Sequence, residues 1–423
     1  MEAYIHASEL LTGESIRSKD GRQPQEKDLG RIEDGAVVYQ TKTVGGLAVP
    51  TKIIWVGKTQ DLPKRYLKAK IKNLKNRHAV TPGWIDCHTH LVFAGNRSDE
   101  FARRCAGESY ESIAAQGGGI LSTIHPTRMA TEDELFKTAE LRIHEAWSYG
   151  VRVLEIKSGY GLCFDSEVKT LKVIQKLKKK FPQITFRSTF LGAHAFPPGV
   201  DRYDYIQEII QKMIPFIGKK HLADSCDVFV DQGYFTVEEA KLILTEAKKW
   251  GLTLHVHADE LECTESAQFA VQMKALSADH LLRVNRSGMD ALAKSNTVAV
   301  LLPATAYYLK APYAPARELI TKGACVAIST DFNPGSSMCN SLPQVMNLSA
   351  LYMEMSRAEI FAGVTYNAAK ALGIENDYGT IEVGKAASMT VLPFDRFEQA
   401  YYHLGWSPVA YPSIQKLKKV DSK

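Results

Sequence analysis

Cysteine is sparse in this 423-residue chain: seven residues, scattered from Cys87 to Cys339, with no C-x-x-C pair. An odd, unpaired set argues against a disulfide framework or a thiolate zinc site. It points instead to a reducing, cytoplasmic location. No stretch reaches the roughly 18 consecutive apolar residues of a membrane span, and the opening segment MEAYIHASELLTG has neither a basic leader nor an apolar core. Membrane insertion and export are therefore not expected. Long basic blocks are missing too: 52 Lys and Arg stand against 47 Asp and Glu, and Lys178, Lys179 and Lys180 form only a short cluster. A net charge of +5 spread in this way reads as solvated helix faces, with no nucleic-acid partner. Fixed-period repeats, low-complexity segments and an early G-x-G-x-x-G turn are also absent.

What is present is the composition of an ordinary globular protein, 45% hydrophobic and 23% charged, in a chain longer than one core usually serves. One large domain and one smaller are expected. Residues 1 to 80 carry short β-like runs such as Gly35 to Tyr39 and Lys52 to Val56, and no long amphipathic helix. From Val80 the texture changes to apolar runs alternating with helical stretches. The runs are Trp84 to Asp86, Val151 to Ile156, Ile184 to Leu191, Cys226 to Val230, Leu252 to His257, Ala275 to Ala278, Val298 to Leu302 and Val326 to Ser329. Helical patterns at Glu132 to Ser148, Ser166 to Lys179, Val237 to Trp250 and Arg317 to Thr321 separate several of them. Eight such repeats match a closed (β/α)8 barrel, a TIM barrel of the α/β class, better than an open doubly wound sheet. A helical stretch at Ala358 to Leu372 and a β-like segment at Gly379 to Pro393 follow. The expected division is a catalytic barrel over 81–375 and a small β-sandwich-like domain made from 1–80 and 376–423.

Residues able to carry chemistry fall at the ends of these runs. The first ends in Asp86-Cys87-His88-Thr89-His90, and in an extended strand His88 and His90 share a face and can grip one metal ion. Barrel enzymes place their sites at this end. The fifth run supplies His255, His257 and Glu260. His257, at the strand end, ranks ahead of His255 as a ligand, and Glu260 can move protons over the same metal. At the ends of the sixth and eighth runs stand His280, able to polarise a carbonyl, and Asp331, able to face the metal and accept a proton. Four strand ends delivering such groups toward one mouth is a convergence that chance explains poorly. The fourth run, Asp227 to Asp231, offers no lysine that could be carboxylated to bridge two metals, so a single-metal site is favoured. Asp231 itself reads as a strand-end cap.

In this pattern the chain resembles the amidohydrolase superfamily, and within it the imidazolonepropionase family. The narrower likeness rests on Val80 through Arg97, Gly117 to Ile120, Lys157 to Gly161, Gly192 to His194, His257 to Glu260, and Thr330 to Ser336. The resemblance implies one Zn or Fe ion per chain on His88, His90, His257 and Asp331. It further implies substrate contacts from Arg97, Tyr160, His194, Asn333, Gly335 and Ser336, with Glu260, His280 and Asp331 assisting the chemistry. The implied substrate is 4-imidazolone-5-propanoate, whose carboxylate suits a guanidinium at Arg97, and the implied assembly is a homodimer. The polar stretch Ser18 to Asp34 and the tail from Trp406 depart from the family pattern.

Overall fold

A computed structural model describes residues 1–405 except 109–111, 114–115 and 117. Gly117 of the Gly117 to Ile120 motif and the tail from Trp406 lie outside the described residues. Alternation in the first eighty residues produces five strands: β1 (Glu2–Leu11), β2 (Arg31–Val44), β3 (Leu47–Lys58), β4 (Lys70–Asn73) and β5 (Ala79–Pro82). They join β14 (Met389–Val391), near the other chain end, in one six-stranded sheet ordered β14-β5-β1-β2-β3, with β4 paired to β1. No second sheet stacks on it among the described residues. Gly35 to Tyr39 of β2 are buried in succession because both faces are covered: Val37 packs with Leu10, Ile53 and Val80, while Val38 packs with Ala3 and Tyr66.

The eight apolar runs form eight parallel strands that neighbour one another in chain order: β6 (Trp84–Asp86), β7 (Val151–Lys157), β8 (Thr185–Ala193), β9 (Ser225–Val230), β10 (Thr253–Ala258), β11 (Ser277–His280), β12 (Val298–Leu301) and β13 (Val326–Ile328). The ring closes beyond the ends of the first and last: Thr89 bridges Phe332 in parallel, and Asp331 N donates to the His88 carbonyl at 3.0 Å. Such closure leaves no sheet edge and brings eight strand ends to one mouth.

The outer helices follow from capping and spacing. Thr131 caps Glu132–Ser148 through a reciprocal pair with Glu134, and the helix buries Leu135, Ala139, Ile143 and Ala146 at intervals of three and four residues. Thr236 and Glu239 do the same for Val237–Lys249. The expected helix over Ala358 to Leu372 is two helices, Arg357–Gly363 and Tyr366–Ala371, broken at Thr365, whose φ of −126° and ψ of −97° cannot continue a helix. Sheet and barrel meet without a linker, since β5 runs through Gly83 into β6. A Cβ at Gly83 would lie 2.4 Å from Ser388 Oγ and 2.6 Å from Arg152 Cβ, so only glycine fits the junction. Arg357 fastens the chain ends to the barrel by pairing with Glu9, Glu26 and Glu398.

Candidate metal centre and substrate cavity

At the mouth of the barrel the strand-end residues converge. His88, His90, His257, His280 and Asp331 are all at most 2% exposed. His88 and His257 ring centres lie 4.6 Å apart, His88 and His90 5.4 Å, and His257 and His280 5.0 Å. Asp331 Oδ1 stands 3.5 Å from His88 Nε2 and 3.4 Å from His90 Nε2, while its Oδ2 accepts a 2.6 Å hydrogen bond from Thr305.

This donor set fits a metal ion. Nε2 of His88 and of His257 is buried without a hydrogen-bond partner, an arrangement that costs free energy unless a cation takes the lone pairs. Ligand atoms of His88, His90 and His257 lie within 4.8 Å of one another, as do those of His88, His280 and Asp331. The opposite edges of two rings are held by acids that the sequence reading passed over. His88 Nδ1 meets Asp279 Oδ2 at 2.6 Å, and His257 Nδ1 stands 3.0 Å from Asp227 Oδ2. Carboxylates behind histidines are the usual device for fixing the tautomer and ring plane of a metal ligand. The signal was available: Asp279 adjoins His280, and Asp227 shares a strand face with Phe229 and Asp231. His255, the alternative ligand, sits one layer deeper with Nδ1 on Ser277 Oγ at 2.8 Å.

Burial pushes the His280 imidazole down to about 3, Asp331 opposing, so the ring is neutral near pH 7. Glu260 lies 3.5 Å from His280 Nε2. Its carboxyl is pushed up to about 8, chiefly by burial and then by the Asp331 charge, which keeps a proton on it near neutrality. Asp231 does more than cap a strand end, because its carboxylate accepts backbone N–H groups of Gln232, Glu260, Leu261 and Glu262 at 2.7 to 3.1 Å. It thereby fixes the loop that carries Glu260.

Above this centre opens a cavity of about 730 Å³, lined by every site residue expected from the sequence except His88, which lies beneath. His194 stacks on His90 at 4.9 Å with Nδ1 on the Gly159 carbonyl at 3.0 Å, leaving Nε2 toward the cavity. Tyr160 packs edge-on against both rings. Arg97 lies 2.8 Å from Glu100 Oε2, and a Cβ on Gly335 would fall 2.0 Å from its Nη1. The absence of a side chain at Gly335 makes room for the guanidinium. Asn333 uses its amide inside its own loop, donating to the Asp331 carbonyl and Ser336 Oγ and accepting from Gly335 N and Ser336 N. Sequence reasoning missed Arg104 and Tyr308, which line the cavity with the guanidinium 5.0 Å from the ring centre.

A parallel eight-stranded barrel with this histidine and aspartate set defines a metal-dependent hydrolase, and the comparisons agree: residues 79–421 match the model of the amidohydrolase family, to which the chain belongs. It is thus a hydrolase acting on C–N bonds. Its similarity to individual relatives is narrower. It is 41% identical over 399 residues to the imidazolonepropionase of Shouchella clausii, covering 93% of this chain and 86% of that one. It is 39% identical to that of Bdellovibrio bacteriovorus, covering 94% and 92%. Among the families of this superfamily, the chain belongs with the imidazolonepropionases. In fold it is similar to a zinc-bound mutant of the atrazine chlorohydrolase TrzN of Arthrobacter aurescens, with a TM-score of 0.66 and 16% identity over 98% of this chain and 90% of that one. A zinc-bound adenosine deaminase from Xanthomonas campestris gives 0.65 and 16%, covering 96% and 87%. Among the described residues no helix is long and apolar enough to cross a membrane.

Proposed function

We propose that the chain hydrolyses the ring amide of 4-imidazolone-5-propanoate to N-formimino-L-glutamate. The observation that carries this is the convergence of unpartnered histidine nitrogens and Asp331 at the floor of a cavity whose wall bears Arg97. His88, His90, His257 and Asp331 would hold one Zn or Fe ion, which when bound supplies Lewis acidity and draws the pKa of a water toward neutrality.

The chain's own groups do the rest. Asp331 Oδ1, facing His88 and His90, accepts the proton of the attacking water. Glu260, protonated near neutrality, donates to the ring nitrogen as the C–N bond breaks. His280, neutral and 3.5 Å from Glu260, turns an N–H toward the carbonyl oxygen as charge builds there. Arg97 pairs with the propionate carboxylate, sharing its guanidinium with Glu100. His194 and Tyr160 bound the ring, and Gly335 and Ser336 face the same end of the cavity. A homodimer in a reducing, cytoplasmic compartment completes this reading, in keeping with seven free cysteines.

The test is turnover of freshly prepared imidazolone propionate by the purified protein, followed by loss of the conjugated ring's ultraviolet absorption and by detection of formiminoglutamate. No turnover by metal-loaded protein overturns the substrate assignment. Efficient deamination of a purine or pyrimidine base would replace it.

A further inference from the structure

A lysine does reach the centre of the barrel, from the second of its strands. Lys157, at the end of β7, is 0% exposed, and its Nζ lies 3.0 Å from Glu155 Oε1, 2.8 Å from Asp227 Oδ2 and 3.8 Å from Asp279 Oδ2. All three carboxylates are as buried as the lysine, at most 1% exposed. Each is tied to the metal centre on its other side: Asp279 meets His88, Asp227 meets His257, and Glu155 Oε2 accepts the backbone N–H of Thr89, between His88 and His90. The ammonium therefore sits one layer beneath the proposed ligands, inside a ring of carboxylate oxygens that would otherwise be a site for a hard divalent cation.

We infer that Lys157 is a positioning residue whose ammonium is a built-in cation: it occupies the place of a second metal and is the fixed charge on which Asp227 and Asp279, and through them His257 and His88, are aimed. Three buried carboxylates without a counter-charge would carry a heavy desolvation cost, and one ammonium with three donors offsets it at a single point. Burial alone would lower the lysine pKa, but the charges of Asp227, Glu155 and Asp279 outweigh it and hold the group protonated. A fixed cation also explains how the centre can present carboxylates behind two ligands while taking up one metal.

This inference rests on the single-metal reading, and the experiment separates the two. Zinc-loaded parent and Lys157→Ala proteins are titrated with Mn²⁺, whose preference for oxygen ligands directs it to the carboxylates while zinc keeps the histidines. Free Mn²⁺ is followed by electron paramagnetic resonance. The parent is expected to bind none at micromolar concentration and Lys157→Ala to bind one per chain, lost again in Lys157→Ala/Asp227→Asn. A lysine with only a structural role would lower the melting temperature of the variant and leave the metal count at one, and that result overturns the inference. Two zinc ions in the parent before manganese is added would instead overturn the single-metal reading. Should Lys157→Ala not fold, Lys157→Ala/Glu155→Gln, which removes one acid with the cation, carries the same test: one Mn²⁺ supports the inference and none overturns it.

Discussion

The two ends of the barrel are made by the same eight strands and finish in opposite chemistry. Where the strands begin, against the small sheet, Trp84 and Val151 are buried, the Trp84 ring meets Phe397 edge-on at 6.2 Å, and Thr390 donates to the Gly150 carbonyl at 2.6 Å. The cation at that end, Arg152, is employed in the fold: its guanidinium lies over the Trp147 ring at 3.9 Å and donates to the carbonyls of Trp147 and Val151. Where the strands finish, buried Nε2 atoms of His88, His257 and His280 stand without hydrogen-bond partners. A fold tolerates such a concentration of unmet polar groups only where a ligand meets them. The end against the small sheet thus answers to stability and the mouth to chemistry.

Removing a group from the mouth is expected to have the largest effect. His257→Ala is expected to lose metal and activity together, since a missing ligand leaves a site that chelators strip. Glu260→Gln, nearly isosteric and not a ligand, should keep its metal and fold while turnover falls by roughly 100-fold or more. Metal content and rate measured on the two variants side by side decide it: a metal-depleted or fully active Glu260→Gln contradicts the assignment. Next in size is Arg97→Ala, for which kcat/KM is expected to fall by about 2 to 4 kcal/mol, the worth of a lost charged two-point contact. Because Arg97 also answers Glu100, the double variant Arg97→Ala/Glu100→Ala separates substrate binding from relief of that pair. A rate within a few-fold of the parent in Arg97→Ala would remove the residue from the site.

At the opposite end the expected effects are confined to stability. Leu10, 0% exposed in the small sheet, packs with Val37, Tyr39 and Val80. Leu10→Ala should cost about 2 to 5 kcal/mol in unfolding free energy, with kcat/KM of the folded fraction unchanged. A large fall in kcat/KM at equal folded concentration would mean that the two ends communicate.

Much of this arrangement was legible in the chain because strand period and strand end are local signals. An H-x-H pair at the end of an apolar run needs no tertiary information to be placed on one face, and the same holds for His257 and Asp331. The supporting layer was harder to read, since its logic lies between strands. Asp227, Asp279 and Glu155 each look like an ordinary polar residue in a strand, and only the parallel register of β7, β9, β10 and β11 turns them toward Lys157 and the ligand rings. Lys157 was recognised as part of a motif, yet nothing local says that its ammonium ends inside the barrel. Asn333 shows another limit: it lines the cavity as its motif suggests, but that its amide is also engaged within its own loop cannot be read from the motif.

The smallest expected effect tests whether position or bond type decides a residue's influence, because the same cap chemistry occurs in both settings. Thr236 caps the outer helix Val237–Lys249, accepting from Glu239 N at 3.2 Å, and is not among the residues that line the cavity. Asp259 accepts from Thr264 N, Ser266 N and Ala267 N at 2.9 to 3.2 Å at the start of Ser266–Gln272, and its neighbour in sequence is Glu260. Loss of either cap leaves helix N–H groups unanswered, which costs about 1 kcal/mol for a side chain of this kind. Thr236→Ala should lower the unfolding free energy by about that amount in urea denaturation and leave kcat and KM as they were. Asp259→Ala, with more bonds to lose, should be destabilised at least as much and should also lose turnover, because Asp231 is then the one carboxylate left to fix the loop that aims Glu260. If both variants lose stability and neither loses rate, Glu260 is positioned by Asp231 without help from the Asp259 cap. A rate loss in Thr236→Ala would mean that an outer helix start reaches the chemistry at the mouth, and that bond type rather than position decides a residue's influence.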